Sequence, residues 1–380
     1  MAKKNKSLER KRPAYVRLGI VGGGQLARML ALEAAPLGLH VRILSEKSSD
    51  PAAQVVRDWV PGSALSEKDV LEFCQDIDEL TFESEFFDMS AFKQAQSENP
   101  KLHIFPSPEV MELLQDRASQ KQLLKKHKIP TATFLIVNSR EELGQAWKQF
   151  PKGFVLKKCR GGYDGNATYY CRSETDLHKL EALFPDFFIA EALIDFHREL
   201  AMIFVRSEDG SCIHLPLVET AQKHSRCDWV LGPISHPQIS KWVGKLKKLL
   251  ASIRYVGAIG FEFFDTGGNL LVNEIAPRVH NSGHYSQQAL AQSQFLLHLQ
   301  AGLRQKLAEP VLHERFFCMT NLIAESSSTI QIPQNLSGAL HWYGKKDNRT
   351  GRKMGHVNYT GKNSKALLKK ALQERKKFSL

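Results

Sequence analysis

Residues 256–284 read VGAIGFEFFDTGGNLLVNEIAPRVHNSGH. Apolar runs over 256–264 and 269–275 flank Gly267-Gly268, the pattern of a hairpin of two buried strands. Each run carries one glutamate, Glu262 and Glu274, and the hairpin can set the two carboxylates facing one another across the pair. Two carboxylates on apolar strands repel and are costly to bury without a cation between them. Oxygen-only ligation beside Asn273 favours magnesium that holds nucleotide phosphates. The plainer alternative pairs each glutamate with a basic side chain. The loop that follows concentrates Arg278, His280 and Asn281 among small residues, a composition suited to binding an anion.

Upstream of the hairpin, a strand over 153–157 carries Lys157 into the stretch Gly161, Gly162, Tyr163, Asp164 and Gly165. A glycine-rich loop behind a cation suits a cover over nucleotide phosphates, with a surface turn as the alternative. At the start of the body, a strand over 15–21 runs into Gly22-Gly-Gly24-Gln25, a helix over 25–37 and a strand over 39–44. This β-loop-α-β unit opens a doubly wound parallel layer. Its glycine loop fits a phosphate-cradling turn, or a nicotinamide site with Glu46 on the ribose. Further strands are expected over 79–82 and 103–105, and one helix over 109–128. Pro130 marks a boundary. Beyond it the pattern predicts strands over 134–137, 188–191 and 200–205, and a helix over 287–301. After Pro310 a smaller β-rich region holds strands over 318–323 and 338–343. There His341–Lys346 and Arg349–His356 form a second cationic cluster with interleaved glycines.

The 380 residues are 42% hydrophobic and 24% charged, the balance of a globular chain of two or three domains. No run approaches the roughly 18 apolar residues of a membrane span, and because no small-residue cleavage site follows the basic start, a signal peptide is not expected there. The chain is expected in the cytoplasm. Six scattered cysteines form no CxxC pair, so neither a disulfide frame nor a zinc site is expected. The net charge of +12 sits at the two ends: residues 1–17 and 361–380 each hold seven Lys/Arg against one Glu. Basic tails make weak polyanion contacts, and a nearly neutral body is not a nucleic-acid reader.

Together these residues resemble the ATP-grasp superfamily, and within it the N5-carboxyaminoimidazole ribonucleotide synthetases. The resemblance runs from about residue 15 to 360 and rests on GGYDG at 161–165, NEIAPRVHNSGH at 273–284 and GRKMGH at 351–356. DRASQKQLLKKHKIPTA at 116–132 and GGGQLARML at 22–30 add to it. It implies an α/β and α+β ATP-grasp fold: a basic tail over 1–14, a Rossmann-like domain over 15–128, an ATP-grasp domain over 129–309, a C-terminal β-rich region over 310–360 and a basic tail over 361–380.

The resemblance also implies a reaction in which ATP and bicarbonate give carboxyphosphate, whose carbon dioxide is captured by the amine of aminoimidazole ribonucleotide. ATP would be held by Arg117, Lys157, Asn273 and the 161–165 loop, with Glu191 at the adenine edge and Glu199 at the ribose. Glu262 and Glu274 would bind Mg2+. Arg278, His280 and Asn281 would hold bicarbonate or carboxyphosphate. Gly24, Gln25, Glu83, Tyr163, Asp164, Lys345, Lys346 and Arg352 would surround the ribonucleotide. A homodimer and no membrane partner are further expectations.

Two departures stand out. Asn166-Ala167-Thr168 follows the loop where the family has a basic residue and then a glycine. Gln222 or His224 occupies the place of a family histidine after Pro216-Leu-Val-Glu219. Another ATP-grasp ligase, a nicotinamide oxidoreductase and a nucleic-acid-binding protein are the competing functions. The 276–284 and 351–356 strings favour the carboxylating enzyme over the first.

Overall fold

The computed structural model describes residues 15–162, 167–326 and 330–380. Tyr163, Asp164, Gly165 and Asn166 of the glycine loop, and the tail over 1–14, lie outside the described residues. Among the described residues, β1 (Arg17–Val21), β2 (His40–Ser45), β3 (Asp58–Pro61), β4 (Glu79–Phe82) and β5 (His103–Ile104) form a parallel sheet in the order β3-β2-β1-β4-β5. Helices α1 (Gln25–Ala34), α2 (Glu67–Cys74) and α3 (Ser90–Glu98) cover it. Leu18 and Ile20 share a core with α1, whereas Val21 packs with α2 and α3, as strand alternation requires of a sheet covered on both faces. Sequence patterning does not mark β3, α2 or α3.

The single helix expected over 109–128 is two helices, α4 (Pro108–Leu114) and α5 (Arg117–Lys126). Asp116 between them is extended, and its carboxylate accepts from Ser119 N at 2.9 Å. A side-chain cap there starts a new helix instead of continuing the old one. An antiparallel sheet follows, built from β6 (Phe134–Val137), β7 (Phe154–Lys158), β8 (Thr168–Cys171) and β9 (Phe188–Ala192) in the order β6-β9-β7-β8, with α6 (Arg140–Gln149) and α7 (Glu174–Glu181).

The large sheet holds β10 (Arg198–Arg206), β11 (Cys212–His214), β12 (Val218–Lys223), β13 (Arg226–Gly232), β14 (Gly257–Asp265) and β15 (Leu270–Ala276), with α8 (Ile239–Ser252) after β13. In place of one helix over 287–301 the chain forms α9 (Ser286–Ala289) and α10 (Gln294–Gly302). Leu290 is extended between them, and the Ser293 hydroxyl caps α10. The sheet then continues into β16 (Phe316–Ile323), β17 (Ala339–Trp342) and β18 (Lys353–Gly361). Because β16 pairs with β13, the region after Pro310 extends the existing sheet.

Residues 361–380, expected as a basic tail, instead end β18 and form α11 (Ser364–Arg375). Leu367 and Ala371, four residues apart, are buried beside β16 and β18, while Lys365, Lys369 and Lys370 face outward. Arg375 pairs with Asp228 at 2.6 Å. An amphipathic stripe lies beneath the charge.

The parallel layer is joined to the large sheet through α1 on α10, where Leu26, Met29 and Leu30 share a core with Phe295 and Leu299. A Cβ at Gly302 would meet the Phe105 ring at 2.3 Å, so this close approach requires glycine. No helix among the described residues is long and apolar enough to cross a membrane.

Candidate active site

The three layers enclose one cleft of about 1130 Å³. Strand register puts Glu262 of β14 directly opposite Glu274 of β15. Glu274 has a basic partner, Arg117 Nη2 at 3.0 Å. The Glu262 side chain is 29% exposed to the cleft, with His280 Nε2 3.5 Å away. Burial, then the nearby Glu274 and Glu199 carboxylates, push the Glu262 carboxyl up to about 8. His280 does not relieve that repulsion, because burial and the charges of Arg278 and Lys353 lower it to about 3 and keep it neutral. Its Nδ1 pairs with Ser282 Oγ at 2.8 Å.

On one side of the carboxylates lie groups suited to a nucleotide. Lys157 Nζ reaches Glu191 at 3.2 Å and Asn273 Oδ1 at 3.2 Å. Glu191 is almost fully buried and also pairs with Lys121 at 2.9 Å. Burial alone would raise Glu191, but Lys157 and Lys121 outweigh it and hold the carboxyl below its usual range. Lys121 further donates to Thr131 Oγ1 and to the Asn273 carbonyl, so it fixes this corner. Glu199 is raised by burial and hydrogen-bonds Gln222. Of the two residues expected at the place of the family histidine, Gln222 lines the cleft, whereas His224 does not and is exposed on the β12–β13 turn. Val155, Ala192, Leu193, Ile194 and the stacked pair Phe196–Phe264 (ring centroids 4.6 Å apart) give the cleft an apolar part of its lining. Gly162 lines the cleft and accepts from Arg117 Nη2 at 2.8 Å, whereas Gly161 does not line it.

On the opposite side, the N-terminus of α1 is already filled. The Glu83 carboxylate accepts from Gly24 N at 2.6 Å and Ala27 N at 3.2 Å. A Cβ on Gly22 or Gly24 would stand 2.5 Å from Glu83, so the glycines make room for a carboxylate of this chain. A dinucleotide pyrophosphate would meet that carboxylate, which removes the nicotinamide reading of the loop. Burial raises Glu83, opposed by its two N–H donors and by the charges of Lys345 and Arg278. Arg278 grips Glu85 through Nε and through Nη2, the latter at 3.1 Å. Asn281 exchanges two amide hydrogen bonds with Asn321, at 3.0 and 2.7 Å.

Gly24, Gln25, Lys345 and Arg352 line the same cleft, and Lys346 does not. Lys345 Nζ donates to the Lys353 carbonyl at 2.8 Å, and Arg352 Nη1 to the Asp347 carbonyl at 3.0 Å. Glu85, Lys121, Asn321 and the Phe196–Phe264 pair escape sequence reasoning, because each acts through a partner distant in the chain.

Three family models match: a ribonucleotide synthetase preATP-grasp domain over residues 15–115, an ATP-grasp domain over 122–295 and a phosphoribosylaminoimidazole carboxylase C-terminal domain over 318–370. The chain is 34% identical over 350 residues to the N5-carboxyaminoimidazole ribonucleotide synthase of Synechococcus elongatus, covering 90% of this chain and 88% of that one. Its fold superposes on the carboxyaminoimidazole ribonucleotide synthase of Aspergillus clavatus complexed with ATP with a TM-score of 0.87 and 28% identity, covering 96% and 99% of the two chains. The complex of the Aspergillus clavatus N5-carboxyaminoimidazole synthase with ADP and 5-aminoimidazole ribonucleotide gives 0.84 and 27%, with the same coverage. By its sequence, its three domain matches and its fold, the chain belongs to the N5-carboxyaminoimidazole ribonucleotide synthase family of ATP-grasp enzymes.

Proposed function

We propose that the chain carboxylates 5-aminoimidazole ribonucleotide at its amine, consuming ATP and bicarbonate and releasing N5-carboxyaminoimidazole ribonucleotide, ADP and phosphate. The observation that carries this reading is a single cleft lined by the facing Glu262–Glu274 pair, by apolar side chains with Lys157, and by the cations Lys345 and Arg352. The apolar side chains with Lys157 suit a nucleotide, and the cations suit a phosphorylated co-substrate. The loop carrying Arg278, His280 and Asn281 lies in the same cleft, where a small oxyanion would be made and consumed.

A divalent cation fits the donor set. Glu262 is raised by burial and then by the facing Glu274 carboxylate and that of Glu199, and a bound cation would offset that cost. The two facing carboxylates offer oxygen ligands that nucleotide phosphate oxygens would complete around such a cation. Glu262 and Glu274 would hold Mg2+, which supplies neutralisation of charge in phosphoryl transfer when bound. Lys157, fixed by Glu191 and Asn273, would meet the nucleotide phosphates. Arg278, locked on Glu85, presents a fixed positive charge to bicarbonate or carboxyphosphate. Neutral His280 holds Ser282 and orients the loop without adding charge. Glu83 would face the imidazole ribonucleotide beside Gln25. Carboxyphosphate is quickly lost to water, so positioning and water exclusion carry most of the catalysis. The same reading includes a cytoplasmic homodimer, tested by fractionation and solution mass.

The decisive experiment measures ADP release with magnesium-ATP and bicarbonate, with and without aminoimidazole ribonucleotide. Strong stimulation by the ribonucleotide, abolished when bicarbonate is removed, is the expected result. ATP binding without stimulation would replace this acceptor with another in the same ATP-grasp chemistry.

A further inference from the structure

The rim of the cleft carries a cation that the roles above leave unused. Strands β12 and β13 are joined by His224 and Ser225, both left-handed with φ of +51° and +59°, and Lys223 pairs with Arg226 across this tight turn. The turn projects Arg226 across to the C-terminal loop. A Cβ built on Gly351 would stand 2.9 Å from Arg226 Cζ, so the guanidinium rests on the loop backbone and glycine is what admits it. Gly351 is itself left-handed at φ +82°, and its N–H is tied to the Ala324 carbonyl at 2.7 Å.

Arg226 therefore lines the cleft beside Arg349, Arg352 and Lys353, on an element remote in sequence from theirs. Among the described residues its guanidinium has one hydrogen-bond acceptor, the His224 carbonyl at 3.4 Å, and no carboxylate partner. Arg352 is likewise served by a carbonyl at 3.0 Å and by an exposed carboxylate 3.8 Å away. The guanidinium groups of Arg226 and Arg352 carry like charge, and a dianion bound between them turns their repulsion into attraction. The planar guanidinium fork matches phosphate oxygens better than a lysine ammonium does.

We propose that Arg226 binds the phosphomonoester of the acceptor substrate, reaching from the β12–β13 hairpin to complete a phosphate subsite with Arg352. This rests on the proposed reaction for the identity of the phosphomonoester, and the same chemistry could instead serve the phosphates of ATP. Three readouts separate these sources. In Arg226→Ala, the KM for aminoimidazole ribonucleotide rises at least 10-fold, while the KM for ATP and kcat change less than 3-fold. With the dephosphorylated riboside as acceptor, wild type and variant have the same KM, which a merely structural role for Arg226 would not produce. Arg226→Lys recovers only part of the loss, because the charge returns without the fork.

Calorimetric binding of ribose 5-phosphate provides a probe independent of turnover, and it weakens at least 10-fold in Arg226→Ala. A rise in the KM for ATP alone, or unchanged KM and ribose 5-phosphate affinity, overturns the proposal. Weakened ribose 5-phosphate binding in a protein whose turnover ignores the ribonucleotide would sustain the phosphate subsite and overturn the assigned acceptor.

Discussion

Glu262 and Glu274 face each other on paired strands, yet their surroundings differ. Arg117 compensates Glu274, while Glu262 has a neutral histidine and two carboxylates around it. Removing the ionisable carboxyl of Glu262 should therefore help the ligand-free protein and harm the liganded one. Glu262→Gln is expected to stabilise the metal-free chain at pH 7 by about 1 kcal/mol or more. Folding raises this carboxyl to about 8 and so costs stability at any pH above its unfolded value of 4.5, a cost the amide does not carry. The same variant should lose most of the rise in Tm that magnesium-ATP gives wild type. A metal-free Tm below that of wild type would show that Glu262 is a stabilising group and not a ligand held at a cost. Glu274→Gln is expected to lower ADP release at least 100-fold with an unchanged circular dichroism spectrum, and near-normal release would remove the proposed magnesium role.

The elements that sequence patterning locates are those whose periodicity carries its own punctuation. The β14–β15 hairpin is apolar on both runs and is broken by Gly267-Gly268, so its register and its glutamates are readable in one dimension. The split between α4 and α5 depends on one capping aspartate inside an otherwise helical pattern, and α11 hides its short apolar stripe among lysines. Site residues follow the same division. Glu262, Glu274, Lys157 and Arg278 stand in dense local strings, while Lys121 and Glu85 gain meaning only from Glu191 and Arg278, across the fold. Lys121 gives a test at this scale, because it fastens α5 to β9 and to β15. Lys121→Met should destabilise the protein by about 2 kcal/mol or more, since a buried carboxylate loses one of its two cations. A second change, Glu191→Gln, should recover part of that loss. If the double variant is as unstable as the sum of the single ones, the pair is not coupled.

The cleft exists only while the parallel layer is held against the large sheet, and polar groups as well as apolar core fasten this joint. Arg278 crosses it to Glu85, Ser293 Oγ donates to Glu33 at 2.6 Å, and His298 of α10 bridges Thr81 of β4 and Ala258 of β14. His298 is fully buried; its Nδ1 accepts from Ala258 N at 2.9 Å, so the opposite nitrogen carries the proton toward Thr81 Oγ1 at 2.7 Å. Protonating Nδ1 would set two N–H groups against each other, and burial lowers the imidazole to about 3 from an ordinary 6.5. A lowered histidine contributes stability that is fully present above pH 6.5 and is lost as pH falls toward 3, because the unfolded chain takes up the proton first. The slope approaches about 1.4 kcal/mol per pH unit for one such group. His298→Gln should therefore be less stable than wild type at pH 7.5, having lost one arm of the bridge. Its deficit should shrink by about 2 kcal/mol on going to pH 5, since the variant lacks this proton-linked loss. Denaturant titrations at the two pH values measure the change directly, and a deficit that stays constant would mean that His298 does not hold the joint as the neutral imidazole its hydrogen bonds require.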